Sequence, residues 1–365
     1  MQQVQMPQAF SFDHATRSRR IFLGWIATLA AALLLSILLA VCMGPVAIAP
    51  AEALRIVLFK LFHLTIGNIV TQTTPTHMDI IWQLRFPRVL MAVITGAGLA
   101  ICGTAMQASV QNPLADPYIL GISAGASLGA TFSILLSSSG FLLGLPTEFW
   151  AFLGALAAAL LVMILAGMGS QLSTVKMVLA GTIANALFLA FSNFIVYMAS
   201  NAEGIRSIAF WTMGSLASAK WGTILLPAVG VLSCCIFFLA QSRNLNALLL
   251  GEEAATTLGI ELNTVRRSVI LVTALVTGLI VASCGIISFV GLIIPHIARG
   301  FVGSDHRRLL PASMLAGALL LLWADVLART ALPSGELPIG IITSLIGAPF
   351  FMYILYKNAL GFAGK

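Results

Sequence analysis

Charged residues are scarce in this chain of 365 residues: Asp, Glu, Lys and Arg together make up 8% of it, where a soluble domain carries about 25%. So few charges cannot cover a water-exposed surface, which excludes an ordinary soluble enzyme or binding module. The net charge is +7, but Lys and Arg lie scattered between apolar runs, not gathered in a patch. Loop charge therefore explains them better than nucleic acid does. The five cysteines, Cys42, Cys102, Cys234, Cys235 and Cys284, sit in or beside apolar stretches. None has metal-ligand spacing to a histidine, so they read as small core residues and no metal site is expected. No GxxxxGK[ST] loop occurs, so any ATP hydrolysis belongs to another chain and no catalytic residue is expected here. Acids inside the apolar runs are nearly absent, Asp325 being the one well within, with Arg329 a turn later as its i,i+4 partner. Ion-coupled carriers place ionisable groups near the membrane midplane, which makes a secondary transporter the lesser alternative. An intramembrane metal enzyme is weaker still: His296, beside Pro295, is the histidine expected to be buried, and it has no second ligand four residues away.

What the chain has in abundance is apolar length. Hydrophobic residues make up 59%, with a mean hydropathy of +1.01. Divided by the roughly 20 residues that cross a bilayer, the pattern predicts an all-α polytopic membrane protein. Ten spans are expected near residues 21–44, 88–109, 118–137, 148–168, 177–199, 222–240, 268–284, 286–300, 309–328 and 337–356. The eighth is short and carries Pro295, His296 and Arg299, so a partial or broken helix fits it. The apolar run after Arg17, Arg19 and Arg20 is too long for a cleaved signal peptide core, so a retained first span is expected. An even number of spans puts both termini, residues 1–20 and 357–365, on one side. With that side cytoplasmic, 12 of the 19 Lys and Arg lie inside, the sign of the positive-inside rule. The outer arginines remain an excess.

Small-residue runs such as GAGLAICGTA at 96–105 and GISAGASLGA at 121–130 predict close helix–helix approach. Residues 88–130 and 266–318 share an order of basic flank, Gly-bearing span, Pro-bearing stretch and small-residue span. In this topology the two copies run oppositely, as in the inverted repeats of transporters. QLRFPR at 83–88 puts Arg85 and Arg88 at the outer mouth of the second span. They suit either interfacial snorkelling or bidentate docking of a partner's carboxylates. QNPLADP at 111–117 is an inner turn whose Asp116 would cap the next helix. Gln241–Arg267 is the longest inner segment; within it Gly251 and Gly259 bracket a short helix that starts with Glu252 and Glu253. A second short helix bearing Arg266 and Arg267 is expected to follow, the pair forming a docking platform for another protein. Arg329 falls on the outer side with Arg85 and Arg88.

Taken together, QLRFPR, GTAMQASVQNPLADPYILGISAGASLGA, QLSTVKMVLAG, GEEAATTLGI, GIISFVGLIIPHIARGFVGSDHRRLLP and ADVLAR…GELPIG resemble the permease family of type II ABC importers. That family takes up iron–siderophore complexes, haem and vitamin B12. The resemblance covers about residues 80–356. It implies a ten-helix permease domain over residues 21–356 in a bacterial inner membrane. It also implies a pore formed with a second copy or a related permease, two cytoplasmic ATPase subunits that use ATP, and an extracytoplasmic substrate-binding protein. This chain itself would bind no cofactor. Residues 250–267, with Gly251, Glu252, Glu253, Leu258 and Gly259, match the family's ATPase-coupling helices. Arg85, Arg88 and Arg329 match its docking arginines, and Ser173 and Thr174 its cytoplasmic gate, where Val175 departs from the family's second hydroxyl. Arg206 could face the outer vestibule; partner docking or a lipid headgroup fits it equally. The implied cargo is an iron chelate, ferric siderophore or haem, or else cobalamin.

Overall fold

The structure, a computed structural model, describes residues 12–64, 73–136, 144–168, 174–199, 201–332 and 335–363. Every regular element among them is helical. Helix α1 (Phe12–Cys42) is apolar from Arg20 onward. Helix α2 (Pro50–Phe62) opens on a proline, whose missing N–H costs nothing in a first turn, and closes on left-handed His63. It lies in the stretch 45–80 for which the sequence suggested no role, and the Glu52 carboxylate meets His77 Nδ1 at 2.9 Å to fasten it to the next helix.

That helix, α3 (Pro75–Val110), corrects an expectation. It does not begin near residue 88, where the second span was expected to start, but runs 36 residues, straight through Pro87. A π-helical turn at Ile80–Arg85 precedes the proline. Such a turn widens the backbone ladder and frees carbonyls there, and Trp82 O accepts a hydrogen bond from the Trp221 indole N–H at 2.8 Å. Helix α3 stops at Gln111, which takes a left-handed conformation. A 3-10 turn (Pro117–Leu120) is capped by Asp116, whose Oδ1 accepts from Tyr118 N at 2.9 Å; the cap predicted for Asp116 thus serves this turn and not the α-helix beyond.

Then follow α4 (Ile122–Leu136), α5 (Thr147–Gly167), α6 (Thr174–Met198), α7 (Ala202–Thr212) and α8 (Trp221–Ala240). The short α9 (Ser242–Leu248) and α10 (Glu252–Thr257) precede α11 (Leu262–Cys284) and α12 (Val290–Val302). The chain closes with α13 (His306–Thr330) and α14 (Ile339–Ala363). Among the described residues, seven helices are long and apolar enough to cross a membrane, and α4, α12 and the described apolar part of α14 are shorter. Together they occupy the ten expected spans. The eighth span is indeed short: α12 has 13 residues and is separated from α11 by the non-helical stretch 285–289.

Helix α3 is the centre of the bundle. In its apolar window 78% of residues are buried, against 22% in α6, which therefore faces lipid or another protein. The small residues act as expected. Gly96 lies on the Gly317 backbone of α13, Gly103 on the Gly291 backbone of α12, and Gly125 on Gly154. At each a Cβ would meet main chain, so close backbone approach supplies the packing that lipid-facing apolar surface cannot. Helices α3 and α11 are antiparallel: Arg266 reaches Ser109 at one end, and Cys284 lies 3.7 Å from Thr95 toward the other. This opposed direction is the one expected of the two sequence copies.

Candidate functional site

The three outer arginines come from α3 and α13 and converge at the end of α1. The last carbonyls of a helix have no partners within it and carry its negative dipole end. Arg85 donates to Val41 O at 3.1 Å, to Cys42 O at 2.8 Å and to Val46 O, and Arg329 donates to Ala40 O at 2.7 Å. Arg88 Nε donates to Asp325 Oδ1 at 2.8 Å and its Nη1 to Glu336 Oε2 at 2.7 Å. The predicted Asp325–Arg329 pair exists but is longer, 3.5 Å. Sequence spacing pointed to the near partner; the tighter pair lies 237 residues away.

These arginines are not free on the surface: their relative exposures are 6%, 8% and 4% for Arg85, Arg88 and Arg329. They line a cavity of about 300 Å³ with Pro45, Val46, Ile80, Leu84 and Glu336. Of the two carboxylates there, Asp325 is buried whereas the Glu336 side chain is 42% exposed. Three guanidinium groups against two carboxylates leave one positive charge in excess. The cluster is therefore both an internal brace and an anion-receptive hollow.

At the opposite end, Gly251 and Gly259 bracket α10 as expected. Both have positive φ, +99° and +79°, with no atom in the way of a side chain, so backbone conformation is what calls for glycine. Leu249, Leu250 and Leu258 stand exposed beside Glu253. Large apolar side chains on a polar segment mark a protein-contact surface. One expectation is corrected: the second short helix bearing Arg266 and Arg267 is the beginning of α11, which continues unbroken into the membrane. The second short inner element is α9, before α10. Arg266 is 2% exposed and pairs with Glu252 at 2.7 Å.

Helix α9 is tied in by Asn246. Its Nδ2 donates to Asp305 Oδ1 at 2.7 Å, and its Oδ1 accepts from His306 N at 2.8 Å. Burial alone would raise the Asp305 pKa. The bonds from Asn246 and the Arg307 N–H, with the Arg307 and Arg308 charges, instead hold it below the usual carboxylate range. His306 is completely buried here whereas His296 is only partly so, which corrects the expected buried histidine. Asp116 lies in the inner turn, where burial pushes its carboxyl up to about 6 despite the Tyr118 N–H.

Of the two residues expected at a cytoplasmic gate, Ser173 lies outside the described residues; Thr174 begins α6 and its Oγ1 donates to Val110 O at 3.1 Å. Arg206 is exposed on α7, its guanidinium 5.6 Å from the Phe210 ring. The sequence did not reveal a cavity of about 410 Å³ where α7 ends, the 285–289 break lies and α14 begins. Thr212, Ser288 and Ser344 supply hydroxyls, Met213, Ile286, Ile341 and Leu345 the apolar lining, and among the described residues none that lines it is charged. Non-helical backbone at membrane depth is tolerated where it lines such a cavity. Its only sequence signal was the weak eighth span.

Comparison with known proteins agrees with this geometry. The FecCD transport family matches residues 32–357. The hemin transport system permease protein HmuU of Yersinia pestis is 40% identical over 297 residues, 80% of this chain and 87% of that one. The vitamin B12 import system permease protein BtuC of Vibrio cholerae is 41% identical over 282 residues, 77% and 83% of the two chains. Among solved structures, an inward-facing conformation of a metal-chelate type ABC transporter superposes with a TM-score of 0.77 at 33% identity. It covers 91% of this chain and 98% of that one.

Proposed function

Because the chain belongs to the FecCD transport family and is a multi-pass membrane permease of an ABC importer, we propose that it lines one side of a pore for an iron chelate, ferric siderophore or haem, or for cobalamin. Two permeases, identical or related, form the pore in a bacterial cytoplasmic membrane. Two separate ATPase subunits hydrolyse ATP beneath it, and this chain contributes no catalytic group and no bound cofactor. The observation that supports this reading is placement: a cationic hollow at one end of the bundle and a leucine-rimmed short helix at the other, with an uncharged cavity in the wall between.

In this reading, a carboxylate of the loaded binding protein enters the outer hollow and displaces the half-exposed Glu336 from Arg88. Two arginine forks then hold it in a site of net positive charge. Cargo passes into the hydroxyl-bearing apolar cavity, where the lack of charge lets a large chelate move without being held tightly. Arg206, exposed on α7, adds positive potential at the vestibule. Helix α10 rides on the ATPase through Leu249, Leu250 and Leu258, and closure of that subunit switches access. The runner-up, an ion-coupled carrier, requires a titrating group in the path, and none of the described residues that line the cavity is charged.

The test is reconstitution with the ATPase and binding protein in proteoliposomes, offering haem, a ferric siderophore and cobalamin. ATP-dependent uptake of one of them is expected. Uptake driven by a proton or sodium gradient without ATP would sink the proposal. Glu replacement at Arg85, Arg88 and Arg329 is expected to abolish stimulation of ATP hydrolysis by the binding protein, provided the complex still assembles; stimulation surviving intact would reassign docking elsewhere.

A further inference from the structure

The inner end of α3 receives contacts from two places that the chain separates widely. Its last carbonyls have no acceptor role within the helix, and two successive ones are taken by different elements. Ser109 O accepts from Arg266 Nε at 3.3 Å. Val110 O accepts from Thr174 Oγ1 at 3.1 Å, at the first residue of α6. Arg266 in turn holds Glu252, in the first turn of α10, through Nη2 at 2.7 Å. The next residue, Gln111, donates from Nε2 to Leu248 O at 2.7 Å, at the end of α9. The short inner helices are thus fastened to one end of α3 by a buried arginine and an amide, and the start of α6 hangs from the adjacent carbonyl.

We propose that this last turn of α3 is the relay between the coupling helix and the cytoplasmic gate, with Arg266 and Thr174 as its positioning residues. The inference rests on the reading of α10 as the ATPase contact and of Thr174 as a gate residue. Charge-assisted hydrogen bonds are the strong ones, so a shift of α10 pulls Arg266 with it through Glu252. Arg266 is buried and cannot swing into water. Ser109 and Val110 belong to one turn, so displacing one carbonyl displaces the other and moves the hydroxyl of Thr174. Helix α3 transmits this without bending elsewhere because Gly96 and Gly103 lock it backbone-to-backbone on α13 and α12. Such a chain of bonded groups joining two sites is a claim about coupling, which thermodynamic cycles measure.

The experiment uses the full complex in proteoliposomes with binding protein and cargo, and measures cargo transported per ATP hydrolysed. Glu252 is half exposed, but E252A takes the carboxylate from buried Arg266, so the ratio is read on complexes purified as intact assemblies; T174V removes the hydroxyl and T174S retains it. Each of E252A and T174V is expected to lower transport per ATP about tenfold, the equilibrium worth of one such bond. The double variant falls no lower than the worse single one, and T174S keeps the parent ratio. The relay is overturned if E252A or T174V couples like the parent, or if the double loss equals the product of the two single losses. It is also overturned if T174S fails like T174V, since the hydroxyl is then irrelevant. An unmodified complex that shows no ATP-driven uptake instead removes the permease reading, and the relay with it.

Discussion

Arg88 Nε and Asp325 Oδ1 meet at 2.8 Å across 237 residues of sequence, with the Asp325 side chain 1% exposed. This contact joins the outer part of α3 to the outer part of α13. It also accounts for an acid in an otherwise uncharged apolar run, which alone would suggest ion coupling. Asp325 is held by two arginines and serves the brace at the end of α1.

Breaking that pair from one side leaves an unpaired buried charge. Asp325→Asn is expected to destabilise the purified protein by about 3 kcal/mol, the usual cost of such a half-removal. Replacing Asp325 together with both of its arginines, Arg88→Met and Arg329→Met with Asp325→Leu, should recover most of the loss, since no buried charge of the trio is then left unpaired. Thermal unfolding in detergent is the measurement, and a triple variant no better than Asp325→Asn would count against the ion-pair account.

The contact of Gly103 with the Gly291 backbone leaves no room for a side chain. Gly103→Val should cost more than the roughly 1–3 kcal/mol of ordinary overpacking, because the obstacle is main chain and cannot rotate away. Gly300, with nothing nearby, is the control, and Gly300→Ala is expected to leave the yield of folded protein unchanged. Comparable monodisperse yields from the two variants would contradict the packing.

Leu258 is 63% exposed at the end of α10. Leu258→Asp should leave the isolated permease as stable as the parent, within about 0.5 kcal/mol, yet abolish copurification of the ATPase subunit. Retained copurification at parent level would remove this leucine from the interface.

Asp116 supplies a pH dependence. Its folded pKa, about 6, lies above that of an unfolded aspartate, so the native state binds the proton more tightly. Its contribution is fully present below about pH 4 and is lost as pH rises through 6, a change of about 3 kcal/mol. Asp116→Asn keeps an acceptor for the Tyr118 N–H and removes the titration. The variant should therefore be more stable than the parent at pH 7, with the difference vanishing near pH 4; equal unfolding midpoints at pH 7 would refute the shift.

Much of this molecule is legible in the chain because the relevant physics is local and additive. Runs of apolar residues such as 221–240 announce a span on their own, and Gly251 and Gly259 mark the ends of a short helix by composition. Six motifs taken together, from QLRFPR to ADVLAR…GELPIG, carry the resemblance to the permease family, and the family match over residues 32–357 bears it out. Two of the differences arise where a partner distant in sequence decides the outcome. The apolar run places a span start near residue 88, but the π-turn before Pro87 and the Trp221 indole on Trp82 O carry α3 through. His296 stood beside a proline in an apolar run, yet His306 is the one enclosed, by Asn246 sixty residues earlier.

The sequence by itself determined that this is an all-helical multi-pass membrane protein, because transfer of each segment into lipid depends on that segment's own residues, and its motifs carried the resemblance to the permease family. It also gathered arginines at one end of the spans and the longest polar segment at the other. Only the tertiary structure decided what those charges touch. Arg85 and Arg329 cap the carbonyls of α1, Arg88 pairs across the bundle, and Arg266 ties α10 to α3. The reason is that a buried guanidinium must satisfy its donors with whatever acceptors the packed helices present, and no residue spacing along the chain reports which helix end will lie nearby.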